Sequence, residues 1–195
     1  MSASGNQEIE VKIAAQDLKA IEVRLAQLGF STVTPRCFEA NTLWDTPSLD
    51  WKASGEIVRL REFGSRRILT YKGPANNTTK HKSREELETD LGAFAPIERV
   101  LTRAGLIPIF RYEKYRSEYQ KDALPGTVTL DETPIGGYLE LEGEPDWIDS
   151  TALSLGFSDE AYITKSYPTL YMEYCAENGI KGSHMTFSNP PVDAP

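Results

Sequence analysis

Hydrophobic and charged residues alternate strictly near the start of the chain. From Glu8 to Ile13 every second residue is charged, and the residues between them are Ile or Val. A period of two residues predicts a β-strand with one charged and one apolar face. Similar patterns, separated by turn residues, predict strands at 56–62, 67–72, 83–91, 110–120, 126–131 and 137–142. The polar and aromatic stretch 38–51 receives no assignment, so the chain is expected to hold seven or eight strands.

Apolar residues at helical spacing predict helices between these strands. Leu18, Ile21, Leu25 and Leu28 recur every three or four residues, and Gly29 follows where a helix would end. The same reasoning predicts helices at 96–104 and 147–155 and a short one around 169–174. Short turns favour antiparallel pairing, and many strands with few helices predict an α+β fold built on a barrel or a sandwich.

Charges collect on one face of six predicted strands. The shared faces carry Glu8, Glu10 and Lys12; Arg59 and Arg61; Thr70 and Lys72; Arg84, Glu86 and Glu88; Lys114 and Arg116; and Glu140 and Glu142. In a sandwich these faces would point to water. In a closed eight-stranded antiparallel barrel they would point inward, because amphipathic helices would cover an apolar outer face. The amphipathic helices and the segregation of charge by strand favour the barrel.

A barrel interior that holds Arg, Lys and Glu is costly unless water or a ligand of matching charge fills it. A polyphosphate with divalent cations has that chemistry. Guanidinium and ammonium groups bind phosphoryl oxygens, and paired carboxylates hold Mg²⁺ or Mn²⁺. The pattern therefore predicts a phosphate and metal site within the barrel.

The composition of the chain limits the classes of binding partner that we expect. The 195 residues carry a net charge of −8, which argues against a nucleic-acid polymer as the ligand. The chain has no apolar run of about 18 residues and no basic segment at its start, so we expect no membrane partner and a cytoplasmic location. We expect one domain over residues 1–175 and a flexible tail over 176–195, within which Gly182-Ser183-His184-Met185 resembles a cloning remnant.

The segment Glu8-Ile9-Glu10-Val11-Lys12 matches the E-x-E-x-K motif of the CYTH or triphosphate tunnel metalloenzyme family. Further family segments follow in the family's order: Trp44-Asp45-Thr46-Pro47, Val58-Arg59-Leu60-Arg61, Leu69-Thr70-Tyr71-Lys72-Gly73-Pro74, Ser83-Arg84-Glu85-Glu86-Leu87-Glu88, Lys114-Tyr115-Arg116, Asp131, Glu140-Leu141-Glu142 and Lys165-Ser166-Tyr167. The chain resembles this family from Glu8 to about Tyr174, and it is most similar to the class IV adenylyl cyclase branch. Thiamine triphosphatases and inorganic triphosphatases are the other relatives.

The resemblance implies a role for each matched residue. Divalent metal, Mg²⁺ or Mn²⁺, would be held by Glu8, Glu10, Glu140 and Glu142, with Asp131 assisting. Triphosphate would be bound by Lys12, Arg59, Arg61, Lys72, Arg116 and Lys165, with Arg84 and Lys114 as further candidates. The residues assigned to catalysis are Glu8, Glu10, Lys12, Arg59, Lys72 and Arg116.

Two reactions and one binding role remain open at this point. Water would attack inorganic triphosphate or a nucleoside triphosphate, or the ribose 3′-hydroxyl of ATP would attack its own α-phosphorus. No adenine-reading motif is recognised in the sequence, and this favours hydrolysis over cyclisation. The third interpretation is a non-catalytic module that binds polyphosphate. Since related barrels pair, a homodimer is a further partner that the resemblance raises.

Overall fold

The computed structural model describes residues 7–76, 80–122 and 124–187. Within these ranges the strands are β1 (Gln7–Ala15), β2 (Ser31–Asp45), β3 (Ile57–Phe63), β4 (Arg66–Lys72), β5 (Lys82–Asp90), β6 (Ile107–Gln120), β7 (Gly126–Thr133) and β8 (Gly136–Gly143). The helices are α1 (Leu18–Gln27), α2 (Asp50–Ser54), α3 (Phe94–Arg103), α4 (Pro145–Leu155) and α5 (Tyr167–Asn178), with one 3₁₀ turn at Asp159–Ala161. No helix in the described part of the chain combines the length and the apolar character needed to cross a bilayer.

The eight strands close into one antiparallel barrel in the order β1-β5-β4-β3-β2-β6-β7-β8. This confirms the predicted α+β fold with a closed eight-stranded antiparallel barrel. The pairing register aligns charged positions on neighbouring strands, because Glu10 lies opposite Glu142 and Lys12 lies opposite Glu140. Side chains at paired positions point to the same face of a sheet, so this register gathers these charges in the lumen.

Strand β2 is a strand that the sequence pattern did not predict. It pairs with β3 on one side and along nearly its whole length with β6 on the other. Its register with β6 shifts between Thr32 and Thr34, between Thr34 and Cys37, and between Leu43 and Trp44. Each irregularity interrupts the period of two residues on which strand prediction depends, and this explains the missing assignment.

The apolar face of the barrel points outward to the helices. Val11, Ile13, Leu139 and Leu141 are almost fully buried, in one cluster with Leu25 of α1 and Ile148 of α4. On the other side Trp44, Val58 and Leu60 form a cluster with Leu101 of α3. Burying one Leu, Ile or Val side chain stabilises the fold by about 1.5–3 kcal/mol. The helices therefore hold the charged faces inward, as the barrel interpretation requires.

Helix α5 packs at the end of the barrel where β1, β2 and β7 finish. Its Tyr167 and Tyr171 join a buried cluster with Leu43, Phe110, Tyr112 and Tyr138. The chain then returns to β6, where the backbone of Met185 donates to the carbonyl of Arg111 and accepts from the amide of Glu113.

The sequence predicts a flexible tail from residue 176, and the first part of that stretch belongs to this segment. The helix continues to Asn178, and the Met185 side chain is fully buried. The last residues of the expected tail, 188–195, lie outside the described residues.

Candidate active site in the barrel lumen

The lumen encloses a cavity of about 160 Å³. Its lining brings together most of the residues predicted to act, namely Glu8, Glu10, Lys12, Arg59, Arg61, Lys72, Arg84, Lys114, Arg116, Glu140 and Glu142. These side chains come from β1, β3, β4, β5, β6 and β8. The alternation of residues along each strand thus directs these side chains into one small polar cavity.

Carboxylates of β1 are held by bases from the neighbouring strands. Lys72 Nζ donates to both carboxylate oxygens of Glu8, at 2.7 and 2.8 Å, and Arg84 Nε donates to Glu8 at 3.2 Å. Lys82 Nζ donates to Glu10 Oε1 at 2.6 Å. Burial alone would raise the pKa of Glu10, but the charges of Lys12 and Lys82 outweigh it, and this pKa lies well below its ordinary value. Glu10 is therefore ionised at neutral pH.

Two lysines close to Glu10 have pKa values that are shifted in opposite directions. Lys12 lies 3.2 Å from both Glu10 and Glu140, and these carboxylates raise its pKa although burial alone would lower it. For Lys82, burial dominates over the attraction of Glu10, and the nearby charges of Lys12 and Arg84 add to its effect. The pKa of Lys82 is lowered to about 8. Its charge therefore depends on the pH within the neutral range.

The surroundings of two further carboxylates, Glu142 and Glu86, disfavour the ionised form. Burial and the charges of Glu8 and Glu10 raise the pKa of Glu142 to about 7. Burial and the charge of Glu8 also raise the pKa of Glu86 to about 7, although Lys72 and Arg59 oppose this shift. A cation placed beside these acids would favour their ionised forms.

The chemistry of these donors fits a hard divalent cation. Glu8, Glu10 and Glu142 supply carboxylate oxygens, which Mg²⁺ and Mn²⁺ prefer, and the raised pKa of Glu142 shows an unmet demand for positive charge at this place. Among the described residues, no three acidic, His or Cys side chains converge in a metal-ligating arrangement. Lys72 and Lys82 contact the acids instead. Metal binding would therefore require these ammonium groups to give way.

On the opposite wall of the lumen, Asp131 is held by several donors. Asp131 has no exposed surface, and it accepts from Lys114 Nζ at 2.8 Å, from Arg116 Nε at 2.8 Å and from the Tyr167 hydroxyl at 2.7 Å. Arg116 also donates to Glu140. Asp131 lies behind these bases and does not line the cavity. Its contacts suit the positioning of Lys114 and Arg116, and the metal-assisting role that the family resemblance implies for it stays a prediction.

Arg59 connects the two walls. Its guanidinium donates to the hydroxyls of Thr70 at 3.1 Å and Tyr112 at 3.5 Å, and to Glu88 at 3.2 Å. Burial would lower the pKa of Arg59, but its interactions with Tyr112, Glu39 and Glu86 outweigh burial and raise this pKa above its ordinary value. Arg59 is therefore a permanent positive charge at the side of the cavity.

Lys165 is the predicted phosphate ligand that the structure places elsewhere. Its Nζ pairs with Glu173 at 2.7 Å, and about half of its side chain is exposed to solvent. The cavity lining includes the following residues Ser166 and Tyr167 but not Lys165. The start of α5 thus reaches the lumen through Tyr167.

Glu39 and Tyr167 are site residues to which the sequence analysis assigned no role. Glu39 is completely buried, and it accepts from Arg61 at 2.8 Å and from Asn41 at 2.9 Å. The alternation of Phe38, Glu39, Ala40 and Asn41 carries a strand signal, which the irregular first half of β2 obscures. Nothing in the sequence predicts that Tyr167 reaches Asp131, because that contact joins residues 36 positions apart.

Comparisons with known proteins agree with this architecture. A Methanocaldococcus jannaschii protein, provisionally named an adenylate cyclase, is 25% identical over 170 residues, which span 82% of this chain and 95% of that protein. The structure of a Vibrio parahaemolyticus protein with a similar provisional name superimposes with a TM-score of 0.77 at 18% identity, over 87% of this chain and 99% of that one.

A Hippeastrum protein is provisionally named an adenylyl cyclase and described as having a dominant triphosphatase activity. It superimposes with a TM-score of 0.64 at 15% identity, over 86% of this chain and 96% of that one. At such identities the two superpositions support the fold alone. The CYTH domain profile matches residues 6–167, which include all eight strands and the start of α5. The chain belongs to the CYTH domain family.

Proposed function

We propose that this chain is a divalent-metal-dependent enzyme that hydrolyses inorganic triphosphate or a nucleoside triphosphate within the barrel lumen. The observation that carries the proposal is a cavity of about 160 Å³ in which basic and acidic side chains face each other. Its volume lies below the about 300–1,000 Å³ typical of pockets that bury drug-sized ligands. The cavity therefore favours a short phosphate chain over a whole nucleotide.

The residues divide the work by charge. Lys12, Arg59, Arg61, Lys72, Arg84, Lys114 and Arg116 would bind phosphoryl oxygens. Glu8, Glu10, Glu140 and Glu142 would hold Mg²⁺ or Mn²⁺, which when bound supplies charge neutralisation on the phosphoryl oxygens and activation of water. Lys12 and Lys72 now pair with these same carboxylates. When a triphosphate binds, its oxygens would pair with Lys12 and Lys72, and the carboxylates would pair with the metal ion instead.

Hydrolysis itself needs little covalent participation from the protein. A water oxygen bonds to the terminal phosphorus, the bond from that phosphorus to the bridging oxygen breaks, and the bridging oxygen leaves with the remaining phosphates. The water proton passes to solvent or to a lumen carboxylate. Permanent positive charges such as Arg59 and Arg116 stabilise the charge that develops on the transferred and leaving oxygens. Positioning and electrostatics would thus supply most of the rate enhancement.

A class IV adenylyl cyclase is the second candidate. The provisional name of the Methanocaldococcus relative favours it. The Hippeastrum protein, which shares the fold, is described as having a dominant triphosphatase activity. In cyclisation the ribose 3′-oxygen would bond to the α-phosphorus and pyrophosphate would leave. The third candidate, a non-catalytic polyphosphate-binding module, would use the same charged lumen without turnover.

One experiment separates the three candidates. The purified chain is incubated with inorganic triphosphate or with ATP, each with Mg²⁺, Mn²⁺ or a chelator, and phosphate, pyrophosphate and cyclic AMP are measured in the same samples. Metal-dependent phosphate release without cyclic AMP is the expected result. Cyclic AMP with an equal amount of pyrophosphate would assign the chain to the cyclases. A lack of any metal-dependent product would leave the binding module.

A further inference from the structure

Strand β2 places one fully buried carboxylate beside the bases of the lumen. Glu39 has no exposed surface, and it is not among the residues that line the cavity. The barrel order puts β2 between β3 and β6, and Glu39 pairs in register with Lys114 of β6. A ligand in the cavity would therefore meet the bases around Glu39 and not Glu39 itself.

Three bases that line the cavity lie close to the Glu39 carboxylate. Arg61 donates to it at 2.8 Å, Lys114 Nζ lies 3.5 Å from it and Arg116 Nε lies 3.8 Å from it. Burial alone would raise the pKa of Glu39, but the charges of these bases hold it well below its ordinary value. Glu39 is therefore ionised at neutral pH.

The three bases depend on Glu39 to different degrees. The lysine and the arginine of β6 also donate to Asp131, each at 2.8 Å. Arg61 donates to Glu39, and its further ion-pair contact within the described residues, with Glu88, is 3.9 Å long. Loss of the Glu39 carboxylate would therefore leave the two β6 bases with a close partner, whereas Arg61 would keep only the long contact.

The contact with Glu39 uses only one part of the Arg61 guanidinium. Its Nη2 donates to Glu39. Its Nε is buried and has no hydrogen-bond partner among the residues that the structure describes. Buried donors without a partner are uncommon in folded proteins. Because Arg61 also lines the cavity, its remaining donors suit a phosphoryl oxygen, which guanidinium groups bind well.

An arginine that is already held in place binds a ligand at a lower entropic cost. Arginine has many rotamers, and ordering such a side chain during binding weakens the affinity. Glu39 can hold Arg61 because it is fixed itself. Asn41 Nδ2 donates to one Glu39 oxygen at 2.9 Å, Arg61 binds the other, and both Glu39 and Asn41 are completely buried.

We propose that Glu39 is a positioning residue for triphosphate binding, which holds the Arg61 guanidinium in the orientation that receives a phosphoryl oxygen. Glu39 acts through Arg61 and does not touch the ligand. Charge alone would give the opposite effect, because removal of a negative charge near the lumen would favour a polyanion. We expect the loss of orientation to outweigh the loss of repulsion. This inference rests on the proposed function, because it assumes that a triphosphate is the ligand of the lumen.

The test is a double-mutant cycle between Glu39 and Arg61. Calorimetry of the full chain, with Mg²⁺ in fixed excess, measures the dissociation constant of a triphosphate analogue whose bridging oxygens are replaced by methylene groups. The analogue resists hydrolysis, so binding is measured apart from turnover. We expect Arg61→Gln to weaken binding by about tenfold or more and Glu39→Gln by about three- to tenfold. The double variant should bind within about twofold of Arg61→Gln, because Glu39 has nothing to orient once Arg61 is replaced.

Glu113→Gln is the matched control. Glu113 is also a buried carboxylate, and it pairs with Arg111 at 2.9 Å, outside the cavity lining. This change should leave the dissociation constant of the analogue unaltered. Circular dichroism checks the folding of each variant. If Glu39→Gln does not fold, Glu39→Asp takes its place in the cycle, because it keeps the charge but shortens the side chain and withdraws the oxygens from Arg61.

Two results would overturn the role of Glu39. Equal or tighter binding by the Glu39 variant would show that Glu39 does not orient a phosphate ligand. Fully additive losses in the double variant would show that it acts through a residue other than Arg61. Phosphate release from inorganic triphosphate is measured separately. The expected coupling without phosphate release would remove the proposed hydrolysis and keep the positioning role, whereas no binding of the analogue by the unaltered chain would remove both.

Discussion

Two walls of the lumen use the same residue types to different effect. In the wall of β1, β5 and β8, Glu86 and Glu142 have pKa values raised to about 7, and Lys82 has a pKa lowered to about 8. In the wall of β2, β6 and β7, Glu39 and Asp131 are completely buried and fully engaged by bases. Burial would raise the pKa of Glu39, but Arg61, Lys114 and Arg116 hold it well below its ordinary value.

The difference separates a responsive wall from a fixed one. Groups that titrate near neutral pH exchange partners at low cost when a ligand brings new charge. Buried carboxylates surrounded by donors hold their geometry, because removal of one partner leaves an uncompensated charge. We therefore expect substitutions in the β1–β5–β8 wall to change activity most, and substitutions in the β2–β6–β7 wall to change stability most.

The largest effect is expected at Glu10 in the responsive wall. Glu10→Ala removes an ionised carboxylate beside Lys12 and Lys82, and should lower metal-dependent turnover by about 10²–10³-fold or more. The change is measured as steady-state release of phosphate, with circular dichroism as the check on folding. Glu62→Ala is the matched control, because Glu62 pairs with Arg67 on the exposed surface. A folded and fully active Glu10→Ala protein would disprove the assignment of Glu10.

Asp131 tests the fixed wall. Asp131→Asn keeps the shape of the side chain but removes the charge that Lys114 and Arg116 share. Breaking a buried ion pair costs about 3–5 kcal/mol, so the free energy of unfolding should fall by that order in urea titrations of the metal-free protein. A loss below the about 1 kcal/mol typical of a single neutral hydrogen bond would mean that this wall is not a fixed frame.

A substitution of Glu142 in the responsive wall should change stability in a way that depends on pH. Because its pKa in the folded state, about 7, lies above the ordinary value of 4.5, the folded protein holds this proton more tightly. The stabilisation of the folded state that protonated Glu142 contributes is therefore present below pH 4.5 and is lost as the pH rises to about 7. Although the surrounding lumen desolvates Glu142 enough to raise its pKa, the residue keeps contact with solvent, which screens its charge. We therefore expect Glu142→Gln to be more stable than the unaltered protein at pH 8 by about 1 kcal/mol or less, with no difference near pH 4.5.

The measurement is a series of urea titrations from pH 4.5 to pH 8 with a chelator present. A constant difference between the two proteins at every pH would show that Glu142 has an ordinary pKa in the folded state. Added Mg²⁺ or Mn²⁺ should stabilise the unaltered protein more than Glu142→Gln at pH 8, because the metal-binding role proposed for Glu142 requires its carboxylate.

The smallest effects are expected outside both walls. Arg66 pairs with Asp90 at 3.0 Å, and more than half of each of these side chains is exposed. Exposed ion pairs contribute about 0–1 kcal/mol, so Arg66→Ala and Arg67→Ala should leave turnover within about twofold of the unaltered protein. The same product assay measures this. A large loss of activity in either variant would mean that the basic residues of β3 and β4 are assigned in the wrong register.

Most of the barrel and of the charged site could be predicted from local pattern. The alternation around Glu8, Arg59, Lys72 and Glu140 is repeated in enough strands to place these residues on one inner surface. Prediction failed at β2, where register shifts hide the period. Lys165, which the family motif matches, pairs with Glu173 outside the cavity lining, and its phosphate-binding role stays a prediction. A motif gives order along the chain, whereas side-chain direction depends on how α5 meets the barrel.

The order of residues alone specifies which face of each strand is charged, because side chains alternate across a strand whatever its neighbours are. It could not determine which carboxylate meets which base, since the contacts of Glu8 with Lys72 and of Asp131 with Tyr167 join distant segments. Nor could it determine the buried cluster that Tyr167 forms with Tyr112 and Tyr138. That feature arises where α5 and the returning segment at Met185 pack against strand ends from both halves of the chain, and only tertiary packing brings them together.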